Sequence, residues 1–346
     1  MRRTGPALAV ILSLAILRPA AAFVTEEEAL FPAAGTRAQT VTVLSTTDAD
    51  VLRPAIEAFQ EANPDAELRY VVASSQEVYA AIAEDRARFD LVISSAMDLQ
   101  MKLANDGYAA RWDSAATARL PDWAKWQDRI FAFAQESVVL IASRRGFQGL
   151  PIPQTRRDLT ELLRDHPDVF RGRIGTYDPR ASGAGYLFAT QEARQSDSFW
   201  RLAEVAGGLS PRLYASSIDM ISDLKTGRLA LAYNVLGSYA GPRLEADADG
   251  VVVEFADFTL TLLRTGFVPT DAANPVGGGA FLDFLLSARG QALIRDRAGL
   301  PPIDEAALSA SPHLRPIRLD AGLLVYLDRL KRQAFLTEWS SAMSQD

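Results

Sequence analysis

The feature that most constrains the fold is a repeated local pattern. A short apolar or β-branched run ends in small hydroxyl residues, and a segment with helical apolar spacing follows. Val41-Thr42-Val43-Leu44 leads into Ser45-Thr46-Thr47-Asp48, after which Val51, Leu52, Ala55, Ile56 and Phe59 predict a helix ended by Asn63-Pro64. Leu68 to Val72 and Phe89 to Ile93 read as further strands, each followed by a helical pattern, Glu77 to Ala87 and Met97 to Asn105. Strands alternating with helices predict an α/β fold with a mostly parallel sheet covered on its faces. A second block repeats the alternation: a strand from Ser137 to Ala142, a helix near Leu159 to Asp165, a strand at Arg173 to Thr176 and a glycine-rich turn opening a helix at Tyr186. Ile218 to Lys225 then reads as a helix and Leu229 to Asn234 as a strand. Val251 to Phe255 and Leu260 to Leu263 read as strands, and Ala280 to Leu286, Gly290 to Arg297 and Ala321 to Trp339 as helices.

Four hydroxyl clusters directly precede predicted helices: Ser45-Thr46-Thr47, Ser94-Ser95, Ser182-Gly183 and Ser216-Ser217. One such cluster is ordinary helix capping. Four of them, split between two α/β blocks, predict a ligand cleft, because helix starts offer free N–H groups and a partial positive charge, and ligands gather at the carboxyl ends of strands.

Composition removes the main competitors. The 346 residues include no cysteine and only two histidines, which excludes thiol chemistry, iron–sulfur clusters and a histidine-rich metal site. His166 stands before Pro167 at a helix end and His313 lies in a Pro-flanked loop, so neither is placed as a general base, and Ser182 lies outside the Gly-x-Ser-x-Gly pattern of serine hydrolases. No Gly-x-x-x-x-Gly-Lys loop occurs, and with four lysines phosphate catalysis by Lys has few candidates. A net charge of −7 argues against nucleic acid as a partner.

Arg2-Arg3, an uncharged run from Ala7 to Leu17, and Ala20-Ala21-Ala22 read as a secretory signal peptide over residues 1–22, cleaved after Ala22. Cleavage removes Arg2, Arg3 and Arg18 and takes the net charge from −7 to −10. The expected product is periplasmic, and the segment from Thr25 to Gln39 reads as a loosely held lead-in.

Several stretches together resemble the periplasmic solute-binding proteins of ABC transporters with the type 2 fold, in the branch containing ferric-ion and hexose-phosphate binders. They are residues 54–59 (Pro-Ala-Ile-Glu-Ala-Phe), residues 89–95, Ser182-Gly183-Ala184, the run from Phe281 to Gln291, and Ala298-Gly299-Leu300-Pro301-Pro302. The resemblance covers essentially the whole mature chain. It implies two lobes, each a mixed or mostly parallel sheet flanked by helices, with the ligand cleft between them: residues 23–138 plus 262–346 as lobe 1 and 139–261 as lobe 2. It implies a monomer that works with an inner-membrane permease or reports to a membrane sensor kinase, without a cofactor or catalytic residues. In the ferric-ion branch, iron is held by adjacent tyrosines just after an Asn-ended strand. Here Asn234 matches the asparagine, but the tyrosine positions fall on Leu236 and Gly237, with Tyr233 and Tyr239 flanking them, so no metal site is expected. A small anionic solute is the expected ligand, a phosphorylated sugar or another organic anion, with ferric iron as the alternative. Thr46, Thr47, Ser94 and Ser95 would contribute from one lobe, and Ser182, Gly183, Ala184, Ser216 and Ser217 from the other. Asn234 would orient the ligand and Asp219 would accept from sugar hydroxyls.

Overall fold

A computed structural model of the chain describes residues 23–35, 39–244 and 249–344. The expected signal peptide lies outside these residues. The first elements are β1 (Glu27–Phe31), β2 (Gln39–Ser45), α1 (Ala49–Ala62), β3 (Ala66–Val72), α2 (Ser75–Ala83), β4 (Leu91–Ser94) and α3 (Met97–Asn105). After β5 (Lys125–Trp126) and the long β6 (Ile130–Ser143) come α4 (Arg156–Asp165), α5 (Pro167–Phe170), β7 (Ile174–Tyr177), α6 (Gly183–Gln195) and α7 (Ser198–Gly207). Then follow β8 (Arg212–Tyr214), α8 (Ser217–Lys225), β9 (Leu231–Leu236), α9 (Gly237–Leu244), β10 (Gly250–Val253) and β11 (Thr259–Phe267). The last are α10 (Pro275–Leu286), α11 (Ala288–Ala298), α12 (Glu305–Ala310), β12 (Leu314–Pro316) and α13 (Arg329–Met343).

Strand order runs β1-β3-β2-β4-β11-β6-β9-β7-β8, and the sheet is mixed. The central strand β6 is buried along almost its whole length and divides its pairing. Residues Phe131 to Ser137 pair antiparallel with β11, and Val138 to Ala142 pair antiparallel with β9. The two lobes therefore meet on strands β6 and β11, and the change of partner falls between Ser137 and Val138.

Helix α1 shows how the pattern becomes packing. Leu52, Ala55, Ile56 and Phe59 form its buried stripe, and Phe59 meets Phe281 and Phe284 of α10 at centroid distances of 5.1 and 5.7 Å. Lobe 2 has its own core, with Leu140, Leu159, Phe170, Ile174 and Leu231 packed together.

Two sequence expectations change. Residues 27–31 form a strand antiparallel to β3, where a loose lead-in was expected; a short edge strand rich in exposed glutamate carries too little apolar signal to be read. Ala321 to Trp339 is two elements, a 3₁₀ segment at Ala321–Leu327 and α13, because the Asp328 carboxylate accepts from the N–H groups of Leu330 and Lys331 and starts a new helix. The 3₁₀ segment packs on α3 of lobe 1, whereas α13 packs on α7 of lobe 2. The segment 262–346, expected as part of lobe 1, thus ends in a helix that packs on α7. Phe335, Trp339 and Met343 bury against Tyr186, Phe199 and Ala203, and only glycine at 207 permits the approach, since a Cβ there would lie 2.0 Å from the Ala342 carbonyl oxygen.

Candidate ligand cleft at converging helix starts

The starts of α1, α2, α3, α6 and α8 border one cleft of about 100 Å³ between the lobes. From lobe 1 it is lined by Glu26, Thr46, Asp48, Ser74, Ser75 and Ser95. Lobe 2 contributes Tyr177, Ser182, Ala184, Ser216, Ser217 and Tyr239. Among the described lining residues there is no lysine, arginine or histidine.

Each hydroxyl is placed by the turn that ends its strand. Thr46 Oγ1 accepts from the Ser95 N–H at 3.1 Å and lies 3.4 Å from Ser95 Oγ, tying the ends of the parallel strands β2 and β4 together. Ser182 caps α6 by accepting from the Gly185 N–H at 3.1 Å, Ser74 caps α2 from Glu77, and Ser216 caps α8 from Asp219. Ser217 Oγ shares a hydrogen bond of 2.6 Å with the Tyr177 hydroxyl and accepts from the Leu236 N–H. The lobes touch where the Gly183 N–H donates to Ser75 Oγ at 3.1 Å.

Of the residues expected from sequence, Thr46, Ser95, Ser182, Ala184, Ser216 and Ser217 line this cleft. The others stand behind it or at its edge. Thr47 is fully buried and its hydroxyl accepts from Arg264, while Ser94 Oγ accepts from the Ala96 N–H in its own turn. Gly183 makes the lobe contact, and Asp219 is exposed, its carboxylate accepting from the Ser216 hydroxyl at 2.9 Å. Asn234 faces the interior of lobe 2, where its side chain donates to Glu192 at 3.1 Å; its φ of 63° turns the strand end that way. Tyr233 joins the same buried network with Glu192 and Arg156, so it and Tyr239 do not form a pair in the cleft. Burial raises the pKa of the Tyr239 phenol despite nearby Arg264.

Sequence reasoning missed Ser74-Ser75, which follows the same strand-to-helix rule at the end of β3, and Glu26, which no local pattern marks. Dehydration, with Asp48 and Asp219 adding negative charge, raises the pKa of the Glu26 carboxyl above the ordinary glutamate value.

Under the cleft lies a buried hub that joins the lobes. Arg264 of β11 donates to Glu136 of β6 at 2.6 Å, to Thr47 Oγ1 at 2.5 Å and to Ser238 Oγ of α9 at 3.3 Å, and the Ser238 N–H donates back to Glu136. Burial opposes the Arg264 charge, but Glu136 and Tyr239 more than offset it and keep the guanidinium protonated. A smaller cavity of about 50 Å³ lies within lobe 2, walled chiefly by apolar residues such as Leu159, Ile174, Phe199 and Trp339; it offers little to hold a charged solute.

Comparison with known proteins agrees with this architecture. Residues 40–298 match the family described as bacterial extracellular solute-binding protein. No curated protein sequence matches the chain. Among solved structures, the substrate-binding protein of an ABC transporter from Agrobacterium tumefaciens is 35% identical, with 92% of this chain and 98% of that one covered and a TM-score of 0.87. The periplasmic binding protein AfuA from Actinobacillus pleuropneumoniae, solved with fructose-6-phosphate, is 16% identical over 89% of this chain and 99% of that one, at a TM-score of 0.70. The apo ferric ion-binding protein A of Pasteurella haemolytica is 14% identical over 89% and 99%, at 0.68. The last two show a shared fold alone. Among the described residues, no helix is long and apolar enough to cross a membrane, and no three of His, Cys, Asp and Glu gather as a metal set.

Proposed function

The chain belongs to the bacterial extracellular solute-binding protein family, and on that premise we propose that it is the periplasmic binding component of an ABC importer. It captures a small solute through a phosphate or carboxylate group and closes its lobes around it. The observation that carries this reading is the convergence of helix starts from both lobes on one cleft lined by the hydroxyl residues Thr46, Ser74, Ser75, Ser95, Ser182, Ser216 and Ser217. Such a wall binds an anion by hydrogen bonds and helix dipoles without a formal cation. The importer role is supported by the Agrobacterium tumefaciens relative, a substrate-binding protein of an ABC transporter. Ferric iron fits less well: Tyr233 is committed to Glu192 and Arg156, and burial opposes ionisation of the Tyr239 phenol. Binding and release, with no catalytic step, complete the role.

Melting temperature in the presence of inorganic phosphate, hexose phosphates, dicarboxylates and ferric citrate tests the reading. A ligand at a hundred times its Kd adds about 2.7 kcal/mol to stability, which is readily seen. At least one phosphorylated or carboxylated compound is expected to stabilise the protein without iron. Stabilisation by ferric iron alone, persisting without a carrier anion, would overturn it.

A further inference from the structure

Gln191, Arg194 and Gln195, spaced i, i+3 and i+4, share one face at the C-terminal end of α6. That face borders a recess of about 150 Å³ whose opposite wall is β12 and the turn after it, carrying Arg315, Arg318 and Asp320. Parallel pairing of Arg315 with Leu260 of β11 fixes that wall, and Arg194 Nη1 reaches toward it, 3.5 Å from the Gly322 carbonyl. The recess shares no lining residue with the solute cleft. Gln191 is 8% exposed, and its side-chain amide has no hydrogen-bond partner among the described residues. The Arg318 guanidinium has none there either. Arg194 and Arg315 donate to main-chain carbonyls, of Gly322 for the first and of Pro312 and Leu314 for the second, and no described carboxylate pairs with any of the three arginines. Asp320 is turned to its own backbone, accepting from the Gly322 N–H at 2.7 Å. Three arginines against one aspartate give the lining a charge of +2 on a chain whose net charge is −7. A water would satisfy the Gln191 amide; a dianion would satisfy the amide and answer the local charge as well.

We propose that this recess is a second anion site, distinct from the solute cleft, that takes a small doubly charged oxyanion such as inorganic phosphate or sulfate. Arginine forks match the paired oxygens of such an ion, and the Gln191 amide donates to a third. The bound ion bridges α6, whose first turn faces the cleft, to the segment 315–320 that runs into the 3₁₀ turn packed on α3.

The test follows the side-chain amide signals of Gln191 by nuclear magnetic resonance, assigned by their loss in Gln191→Leu, while sodium phosphate or sodium sulfate is added to the purified protein. At least one of the two salts is expected to move those signals saturably, and sodium chloride at matched ionic strength is not. Arg318→Gln should weaken the apparent affinity by about fivefold or more, the scale of one charge-assisted contact at a partly exposed site, with Arg318→Lys retaining more of it. The Arg318 side chain is exposed and makes no hydrogen bond among the described residues, so its unfolding midpoint should not change. Gly183→Ala, which alters the cleft, should leave the Gln191 response in place. The proposal is overturned by no saturable response to either ion up to about 10 mM, by an equal response to chloride, or by a response that Arg318→Gln leaves alone. It is also overturned if Gly183→Ala abolishes the response, since the ion would then be acting from the cleft. None of these results bears against solute binding in the cleft, because the two sites share no lining residue.

Discussion

Asp98, in the first turn of α3, is 3% exposed, and its carboxyl accepts the N–H of Leu99 at 2.9 Å. Burial dominates its titration and pushes its pKa from 3.8 up to about 7, with the Leu99 N–H, its own backbone N–H and Arg332 of α13 pulling partly the other way. A carboxyl that holds its proton more tightly folded than unfolded stabilises the fold fully below the unfolded pKa. That contribution is lost as pH rises through the folded pKa. Here the window runs from about pH 4 to about pH 7, and the span of about three units corresponds to on the order of 4 kcal/mol. Asp98→Asn removes the proton and its cost while keeping the shape. In urea unfolding, the variant should match the parent near pH 4 and exceed it by a few kcal/mol near pH 8. A difference between the two that does not change with pH, or a variant less stable at the alkaline end, would refute the argument.

Three further outcomes follow from the packing. Arg264→Met strands Glu136 as a buried charge and should cost about 3–5 kcal/mol in denaturant unfolding, with Glu136→Gln in the same chain restoring part of the loss. Gly183→Ala places a Cβ 2.7 Å from Ser75 Oγ and 3.0 Å from Leu99 Cδ1, so it should hinder closure and weaken solute affinity by about tenfold or more, with little change in unfolding midpoint; Ser75→Gly added to it should recover affinity, as read by calorimetry. Phe59→Ala removes the ring packed between α1 and α10 and should cost about 3–5 kcal/mol of stability without altering solute affinity.

How much of this could be read from the chain depended on whether the signal was local. The junctions at Thr46, Ser95, Ser182 and Ser216 were legible because a hydroxyl that caps a helix must immediately precede it, and the cleft lies where such starts converge. Asn234 shows the limit of that logic. Its position at a strand end was readable, but its direction depends on Glu192, 42 residues earlier, whose buried carboxylate takes its amide into the lobe. The same holds for the hub at Arg264, whose partners Glu136 and Thr47 lie 128 and 217 residues away. The path of α13 onto lobe 2 was likewise hidden, because its apolar stripe of Phe335, Trp339 and Met343 would suit either lobe until the close approach at Gly207 is seen.

The central claim is that the lobes close on a solute held by its anionic end, and an interlobe distance measured with and without solute tests it most directly. The chain has no cysteine, so Glu84→Cys on lobe 1 and Ser222→Cys on lobe 2, both at exposed positions, give a unique pair for spin labels. On titration with short phosphate monoesters and carboxylates, the account predicts that at least one compound collapses the distance distribution onto its shortest component, and that Gly183→Ala blocks the change. Saturable binding of such a compound with the distance unchanged, or closure driven only by ferric iron, would contradict it.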